Sequence, residues 1–160
     1  MISARERKNL PQQRSFGIER RERSCELYGP LRGLIEHSGA AFDIAAHKLP
    51  CNGTGGIDFA RFSAEQERVW RFFVERYFIP TNAQIRALIR TKMHLLEDGR
   101  LPASFVEFFR HEANFEALRQ IWKDEGIESL DIQSPAWPAN FQGDVERTLA
   151  SLRKRHQDLL

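Results

Sequence analysis

The dipeptide His111-Glu112 is the closest approach of this sequence to a catalytic metal motif. In the pattern His-Glu-x-x-His, two imidazoles lie on one face of a helix and bind zinc, while the glutamate acts as a general base. Here the fifth position of the pattern is Phe115, so the second imidazole is missing. The sequence therefore predicts that His111 lies in the core against Phe108 and Phe115, with a ring nitrogen bonded to a neighbouring group.

The other side chains that could act as ligands, nucleophiles or bases are dispersed along the chain. Cys51 lies four residues after His47, but this thiol and imidazole lack the third group that would orient the base. The sequence contains no Gly-x-Ser-x-Gly, Walker or dinucleotide-binding pattern. We therefore predict no catalytic residue, no metal and no cofactor. An enzyme would have to assemble its site from the dispersed residues His94, His111 and Glu112.

The composition is that of a globular protein with its own core. The chain has 160 residues, of which 41% are hydrophobic, and it contains 12 phenylalanines, which suits one domain with a packed interior. Cys25 and Cys51 are far apart and form no Cys-x-x-Cys pair, so we expect free thiols in a reducing compartment. No apolar run approaches the ~20 residues that span a bilayer, and no signal peptide is recognisable, which predicts a cytoplasmic protein.

Basic residues are concentrated at the two ends of the chain. We predict that residues 1–24 form a basic N-terminal arm and that residues 25–160 form a single helical domain. Acidic residues interrupt both basic runs and the formal net charge is only +2, so solvated termini are the favoured interpretation. The alternative is a nucleic-acid-associated protein. It would use Arg20, Arg21, Arg23, Arg153, Lys154 and Arg155.

Apolar residues recur at helical spacing in several segments, which predicts an all-α fold, an irregular bundle of about five helices. Pro30 suits the first turn of a helix, because its missing N–H is not needed there. Ser63 and Gln66 match a capping box that begins another helix, and Gly99 ends a helix over residues 84–97. The predicted apolar stripes contain Leu31, Leu34, Ile35, Ala41, Phe42, Ala45, Trp70, Phe73, Phe105, Phe108, Phe115, Leu118, Trp122, Val145, Leu149 and Leu152.

Pro80 interrupts a segment that otherwise has continuous helical periodicity. In a regular α-helix its ring would clash with the carbonyl of Arg76, and it also disfavours helical angles at Ile79. Thr81 and Asn82, which follow, are both good N-cap residues. The sequence therefore predicts that one helix ends or bends by more than ~20° here and that Thr81 or Asn82 caps a new one.

Three stretches together resemble a family of uncharacterised all-helical bacterial proteins. They are LYGPLRGLIE at 27–36, WRFFVERYFIPTNAQIRALIRTKMHLLE at 70–97 and LPASFVEFFRHEANFEALRQIW at 101–122. The family pattern is a Leu-Tyr-x-Pro-Leu element followed by a Phe-x-Pro-x-Asn corner, which here is Phe78, Pro80 and Asn82. Some relatives carry a membrane-spanning helix before the first element, where this chain has an Arg-rich segment. The resemblance implies a helical fold and a bacterial source, and no particular reaction.

The aromatic residues are the positive indication of function. Phe72-Phe73 and Phe108-Phe109 are adjacent pairs, and one helix face cannot bury both members of such a pair. Exposed rings are typical of interfaces. We therefore predict a non-enzymatic interaction module that binds another protein or forms a homo-oligomer, without a membrane span, and the candidate interface residues are Phe72, Phe109 and Trp137.

Overall fold

The structure, a computed structural model, describes residues 18–19, 21–53, 56–96, 99–125 and 136–157, without the side chains of Trp122, Glu125 and His156. The described residues form an all-α fold with four long helices and no strand. An isolated antiparallel bridge between Cys51 and Ile57 closes the glycine-rich loop. The predicted fold class is confirmed, whereas the part of the chain that the structure describes has about four helices rather than five.

Two of the four helices combine α-helical and π-helical segments. Helix α1 consists of a π-helical turn, Arg23–Tyr28, followed by an α-helix, Gly29–Ala46. Helix α2 consists of an α-helix, Ala64–Phe73, a π-helical turn, Val74–Phe78, and a second α-helix, Ile79–Thr91. Helix α3 is Ala103–Glu125 and helix α4 is Phe141–Gln157. Short 3-10 turns occur at Phe59–Arg61 and Met93–Leu95.

Helix α2 runs through Pro80, so the predicted end of one helix and start of another at this residue is wrong. The backbone at Phe78 and Ile79 is right-handed helical, and the N–H of Ile79 donates to the carbonyl oxygen of Val74, five residues earlier. This wider turn provides room for the proline ring, which a regular α-helical turn would not. Thr81 and Asn82 are therefore not N-caps. Both lie within the helix and are buried, at 3% and 2% exposure.

The same arrangement precedes Pro30 in helix α1. There the N–H of Gly29 donates to the carbonyl oxygen of Ser24, again five residues earlier. A Cβ at Gly29 would lie 2.8 Å from that oxygen, so the close approach requires glycine. Both π-helical turns end two residues before a proline, at Tyr28 and Phe78. Each proline thus sits in a continuous helix that contains one extra residue in the preceding turn.

The predicted helix ends are partly confirmed. Ser63 and Gln66 form the capping box: the Ser63 hydroxyl oxygen accepts the Gln66 N–H at 3.3 Å, and Gln66 Oε1 accepts the Ser63 N–H at 2.8 Å. Gly99 has a φ of 63°, in the left-handed region expected of a helix terminator. The regular helix ends earlier than predicted, at Thr91, and the turn at Met93–Leu95 follows it.

The apolar stripes pack into two core clusters. The first core cluster joins the start of α1 to the end of α2 and to α3 and α4. The second core cluster joins the end of α1 to the start of α2. The buried members of the first are Leu27, Tyr28, Leu31, Ile35, Ile85, Ile89, Leu95, Leu96, Phe105, Phe108, Phe141, Val145, Leu149 and Leu152. The buried members of the second are Ala41, Ala45, Leu49, Trp70, Phe73, Val74 and Phe78. Phe42, predicted to be in a stripe, is instead 40% exposed.

The predicted N-terminal arm is helical where it is described. Ile18, Glu19, Arg21 and Glu22 are helical, and the predicted boundary between residues 24 and 25 falls inside the turn Arg23–Tyr28. Residues 1–17 and Arg20 lie outside the described residues. Within the described ranges, no helix has the length and apolar character that crossing a membrane requires.

Candidate functional site

A cavity of about 390 Å³ lies where the two core clusters meet. Its walls come from α1, the turn Phe59–Arg61, α2, α3, and the segment that leads into α4 together with the start of α4. Phenylalanine and tryptophan rings are the largest group in the lining, and a small set of polar side chains accompanies them: Ser38, Asp43, Asn82, His111 and Gln142. A mainly apolar hollow with a few polar groups is the usual character of a small-molecule site.

Four rings in contact form the first wall of the cavity. The ring centroids of Phe59 and Trp70 are 5.2 Å apart in an edge-on arrangement, and those of Trp70 and Phe78 are 5.4 Å apart. Phe42 extends the series, 6.4 Å from Phe78. Phe42 and Phe59 are 40% and 45% exposed, so they stand at the mouth, whereas Trp70 and Phe78 are buried. The wall thus leads from solvent into the interior.

The second wall is centred on His111. Its ring centroid lies 4.7 Å from that of Phe115 and 5.4 Å from that of Trp137, which meets it edge-on. His111 is 6% exposed, so the predicted interior position beside Phe115 is confirmed. The histidine is nevertheless also a lining residue of the cavity. Sequence reasoning did not foresee this second role.

The π-helical turn in α2 sets which residues reach the cavity. In a regular α-helix, at about 100° per residue, Phe78 and Asn82 would be rotated by about 80° and 120° from Trp70. One extra residue in the turn Val74–Phe78 reduces both offsets to about 20°. Trp70, Phe78 and Asn82 therefore share one face and line the same cavity.

Asn82 supplies the most deeply buried polar group of the cavity. It is 2% exposed, and its Oδ1 has no hydrogen-bond partner among the residues that the structure describes. A buried polar atom without a partner costs about 1–3 kcal/mol. Ser38, 8% exposed, lines the cavity from α1. Because Oδ1 of Asn82 is closed even to a water-sized probe, this oxygen does not face the open space of the cavity, and Asn82 lines the cavity through other atoms.

Glu112 is adjacent to His111 in sequence but serves a different contact. Its carboxylate is 2.8 Å from Arg86 on α2, and it is not among the cavity-lining residues. Burial raises the pKa of Glu112, and the charge of Arg86 opposes this rise. His111 and Glu112, whose adjacency in sequence suggested acid–base chemistry, therefore face different surroundings. His111 lines the cavity, whereas the Glu112 carboxylate pairs with Arg86.

The predicted interface residues are in different environments. Phe72 is 52% exposed on α2. Phe109 and Trp137 are half-buried and pack against the first core cluster, and Trp137 also lines the cavity. His94 is exposed in the turn Met93–Leu95. Of the residues that the sequence singles out as interface or polar-site candidates, His111 and Trp137 are the two that line the cavity, and their rings are in contact.

The two basic ends of the chain come together in the fold. Arg23 and Arg155 both line a small cleft between the start of α1 and helix α4. Arg23 also donates to Glu19 at 2.7 Å. Arg21, Arg153 and Lys154 are exposed, and Arg20 lies outside the described residues. Of these basic groups, Arg23 thus has an acidic partner, while Arg155 donates to the hydroxyl oxygen of Ser151.

Cys25 and Cys51 are both exposed and not bridged, as predicted. Within the described ranges, no three His, Cys, Asp or Glu residues are grouped closely enough to hold a metal ion.

Sequence reasoning missed Ser38, Phe78 and Asn82 as cavity residues. For Ser38 and Asn82, the signal that could have found them is a small polar residue at a position where the helical period requires an apolar one. From the sequence alone, Asn82 follows Pro80 and is an obvious N-cap candidate. It stands at an apolar position of the helical period only when the extra residue of the turn Val74–Phe78 is counted.

No protein-family model, no curated protein and no solved structure matches this chain. The resemblance noted in the sequence therefore stays a prediction.

Proposed function

We propose that this protein is a non-enzymatic binding protein that takes one small organic molecule into the aromatic cavity. The observation that carries the proposal is the cavity itself, about 390 Å³ in volume, with the rings of Trp70, Phe78 and Phe115 in its lining. Its volume falls in the range of about 300–1,000 Å³ that is usual for ligand sites.

The chemistry of the lining supports binding over catalysis. The rings of Trp70, Phe78 and Phe115 provide apolar contact, and hydrophobic burial of a ligand is worth about 25 cal/mol per Å² before the cost of association. The acid beside His111 is turned toward Arg86 and does not reach the cavity.

The test uses N-phenyl-1-naphthylamine, a neutral probe whose fluorescence rises in an apolar site. We expect saturable binding of one equivalent, with energy transfer from Trp70 and Trp137 in the walls. Ser38→Leu places a larger side chain in the cavity and should weaken binding at least tenfold. Ala40→Leu, at an exposed position of the same helix, is the matched control and should leave binding unchanged. Absence of saturable binding, or equal binding by a folded Ser38→Leu variant, would contradict the proposal.

A second candidate function is the homo-oligomerisation expected from the sequence. The exposure of Phe72 favours it: this ring is 52% exposed and lies edge-on to Phe73 and Tyr77, with centroids 5.7 and 6.1 Å away. The corresponding test is light scattering of the chain after size exclusion. A dimer that Phe72→Ser converts to a monomer would support this function, and a wild-type monomer would contradict it.

A further inference from the structure

We infer that the ligand of the aromatic cavity is an uncharged, flat molecule of two or three fused rings. This inference rests on the proposed binding function and adds the chemical class of the ligand. It follows from the volume of the cavity, from the rings that line it, and from the absence of lysine and arginine among the described lining residues.

The volume of the cavity sets the number of rings. It is about 390 Å³, whereas an apolar protein cavity of about 150 Å³ holds one benzene molecule. The space is thus roughly two to three times that of a single ring. One ring alone would leave much of the lining without contact, and atoms that face a gap lose their dispersion attraction.

Aromatic rings reach the cavity from both of its walls. In the first wall, the ring centroids of Trp70 and Phe78 are 5.4 Å apart. In the second wall, the ring of His111 lies 4.7 Å from that of Phe115 and 5.4 Å from that of Trp137. A flat aromatic ligand can stack on some of these rings and meet others edge-on, and such ring pairs are favourable beyond the burial of apolar area.

Aliphatic side chains are scarce in the same lining. Ile35 is the one branched aliphatic residue among the described residues that line the cavity, and Gly39 and Ala136 offer little side-chain surface. A flexible acyl chain would therefore lie mainly against rings. It would also lose internal rotations on binding, a cost that a rigid fused-ring molecule avoids. The cavity should thus prefer rings to a chain of similar hydrophobicity.

The charges of the lining favour an uncharged ligand. Among the described lining residues there is no lysine or arginine, and the one carboxylate, Asp43, is exposed. A carboxylate or phosphate on the ligand would find no such cation to pair with. An ammonium group carried into the interior would lose its hydration with no buried carboxylate there to replace it. A charge of either sign should therefore weaken binding.

The test is displacement of bound N-phenyl-1-naphthylamine by small probes. Naphthalen-2-ylmethanol has two fused rings, benzyl alcohol has one, and heptan-1-ol is a flexible chain of similar hydrophobicity to the naphthalene compound. We expect naphthalen-2-ylmethanol to bind about tenfold or more tightly than benzyl alcohol, because the second ring buries further apolar surface. It should bind about threefold or more tightly than heptan-1-ol. Pyren-1-ylmethanol, with four rings, should bind more weakly because it exceeds the space available.

Two charged analogues of the same ring system test the second half of the inference. They are 2-naphthoate, which carries a carboxylate, and naphthalen-2-ylmethylammonium, in which a charged amine replaces the hydroxyl group. Each should bind about tenfold or more weakly than naphthalen-2-ylmethanol, since its charge must be desolvated without a buried partner.

A variant of the second wall tests recognition by the rings. Phe115→Leu retains an apolar side chain and removes one ring, so it should lower the preference for naphthalen-2-ylmethanol over heptan-1-ol about threefold. Phe109→Leu is the matched control. Phe109 is also half-buried on α3 but is not among the lining residues, so its replacement should leave the preference unchanged.

The inference is overturned if benzyl alcohol, heptan-1-ol, pyren-1-ylmethanol or either charged analogue binds as tightly as naphthalen-2-ylmethanol. It is also overturned if a folded Phe115→Leu variant keeps the full preference. Any of these results together with saturable binding of N-phenyl-1-naphthylamine would reject the ligand class and leave the binding function standing. Absence of saturable binding of N-phenyl-1-naphthylamine would reject both.

Discussion

Ile79 donates its backbone N–H to the carbonyl oxygen of Val74, five residues earlier, and not to that of Glu75 as in an α-helix. This one hydrogen bond marks the extra residue that lets Pro80 lie within a continuous helix. It also fixes the rotation of every later residue of α2 relative to Trp70. The turn that accommodates the proline is thus the same turn that builds the cavity wall.

Replacing Pro80 with alanine should leave the π-helical turn in place. The buried residues that follow, Ile85 and Ile89 among them, hold the register through their packing. Pro80→Ala should therefore lower the free energy of unfolding by less than about 1 kcal/mol, the usual entropic contribution of a proline in a compatible conformation. Urea denaturation measures this, with Pro30→Ala as the matched variant in α1. A loss of probe binding by folded Pro80→Ala would show that the proline itself maintains the site.

Deleting Arg76 should be far more damaging than substituting it. Arg76 is exposed in the π-helical turn, so Arg76→Ala should change the free energy of unfolding by no more than about 0.5 kcal/mol. The deletion removes the extra residue and would rotate Phe78, Ile85 and Ile89 out of their packing. It should cost more than about 3 kcal/mol, since truncating even one buried isoleucine costs about 2–5 kcal/mol. Equal stability of the two variants, measured by denaturant unfolding, would refute the role given to the register shift.

Two glycines of α1 should respond to alanine in opposite directions. Gly29→Ala places a Cβ 2.8 Å from the carbonyl oxygen of Ser24 and should destabilise the protein by about 1–3 kcal/mol. Gly33→Ala meets no atom within 4 Å and should stabilise the helix by about 0.5–1 kcal/mol. Thermal unfolding of the two variants in the same buffer makes the comparison. A stabilising Gly29→Ala would mean that the turn Arg23–Tyr28 relaxes freely.

Stability should depend on pH through Glu112. Because burial raises its pKa above the ordinary value of 4.5, the folded state holds this proton more tightly than the unfolded state does. The contribution of Glu112 to stability is therefore fully present below pH 4.5 and declines as the pH rises from there through the raised folded value. Glu112→Gln should become more stable relative to wild type between pH 4 and pH 7. If the stability of Glu112→Gln relative to wild type fell between pH 4 and pH 7, the raised pKa of Glu112 would be contradicted.

The sequence was sufficient for those parts of the fold that depend on local chemistry. The capping box of Ser63 and Gln66 and the left-handed Gly99 follow from interactions within a few residues. The burial of Phe105, Phe108, Val145 and Leu149 follows from periodicity, because one face of an amphipathic helix must be covered.

The cavity was not predictable in the same way. Its lining comes from five parts of the chain, and no local pattern shows that Asp43, Phe59 and Trp137 meet. The error at Pro80 also has a physical reason. The clash of the proline ring, which ends a regular helix, disappears when the preceding turn gains a residue. Whether the helix ends or gains this residue is decided only by the packing of the residues beyond Pro80.

Helix α2 belongs to both core clusters, since Trp70 and Phe73 are in the second and Ile85 and Ile89 are in the first. Such a helix need not open as a unit, because stability within one domain is divided among cooperative segments. The π-helical turn is the natural limit of a partial opening that releases Ala64–Phe73 while Ile79–Thr91 stays folded. Backbone amides on the two sides of Val74–Phe78 should then exchange with deuterium at different rates. A molecule held in the cavity would contact both clusters and make those rates converge, so that occupancy would join two folding units into one.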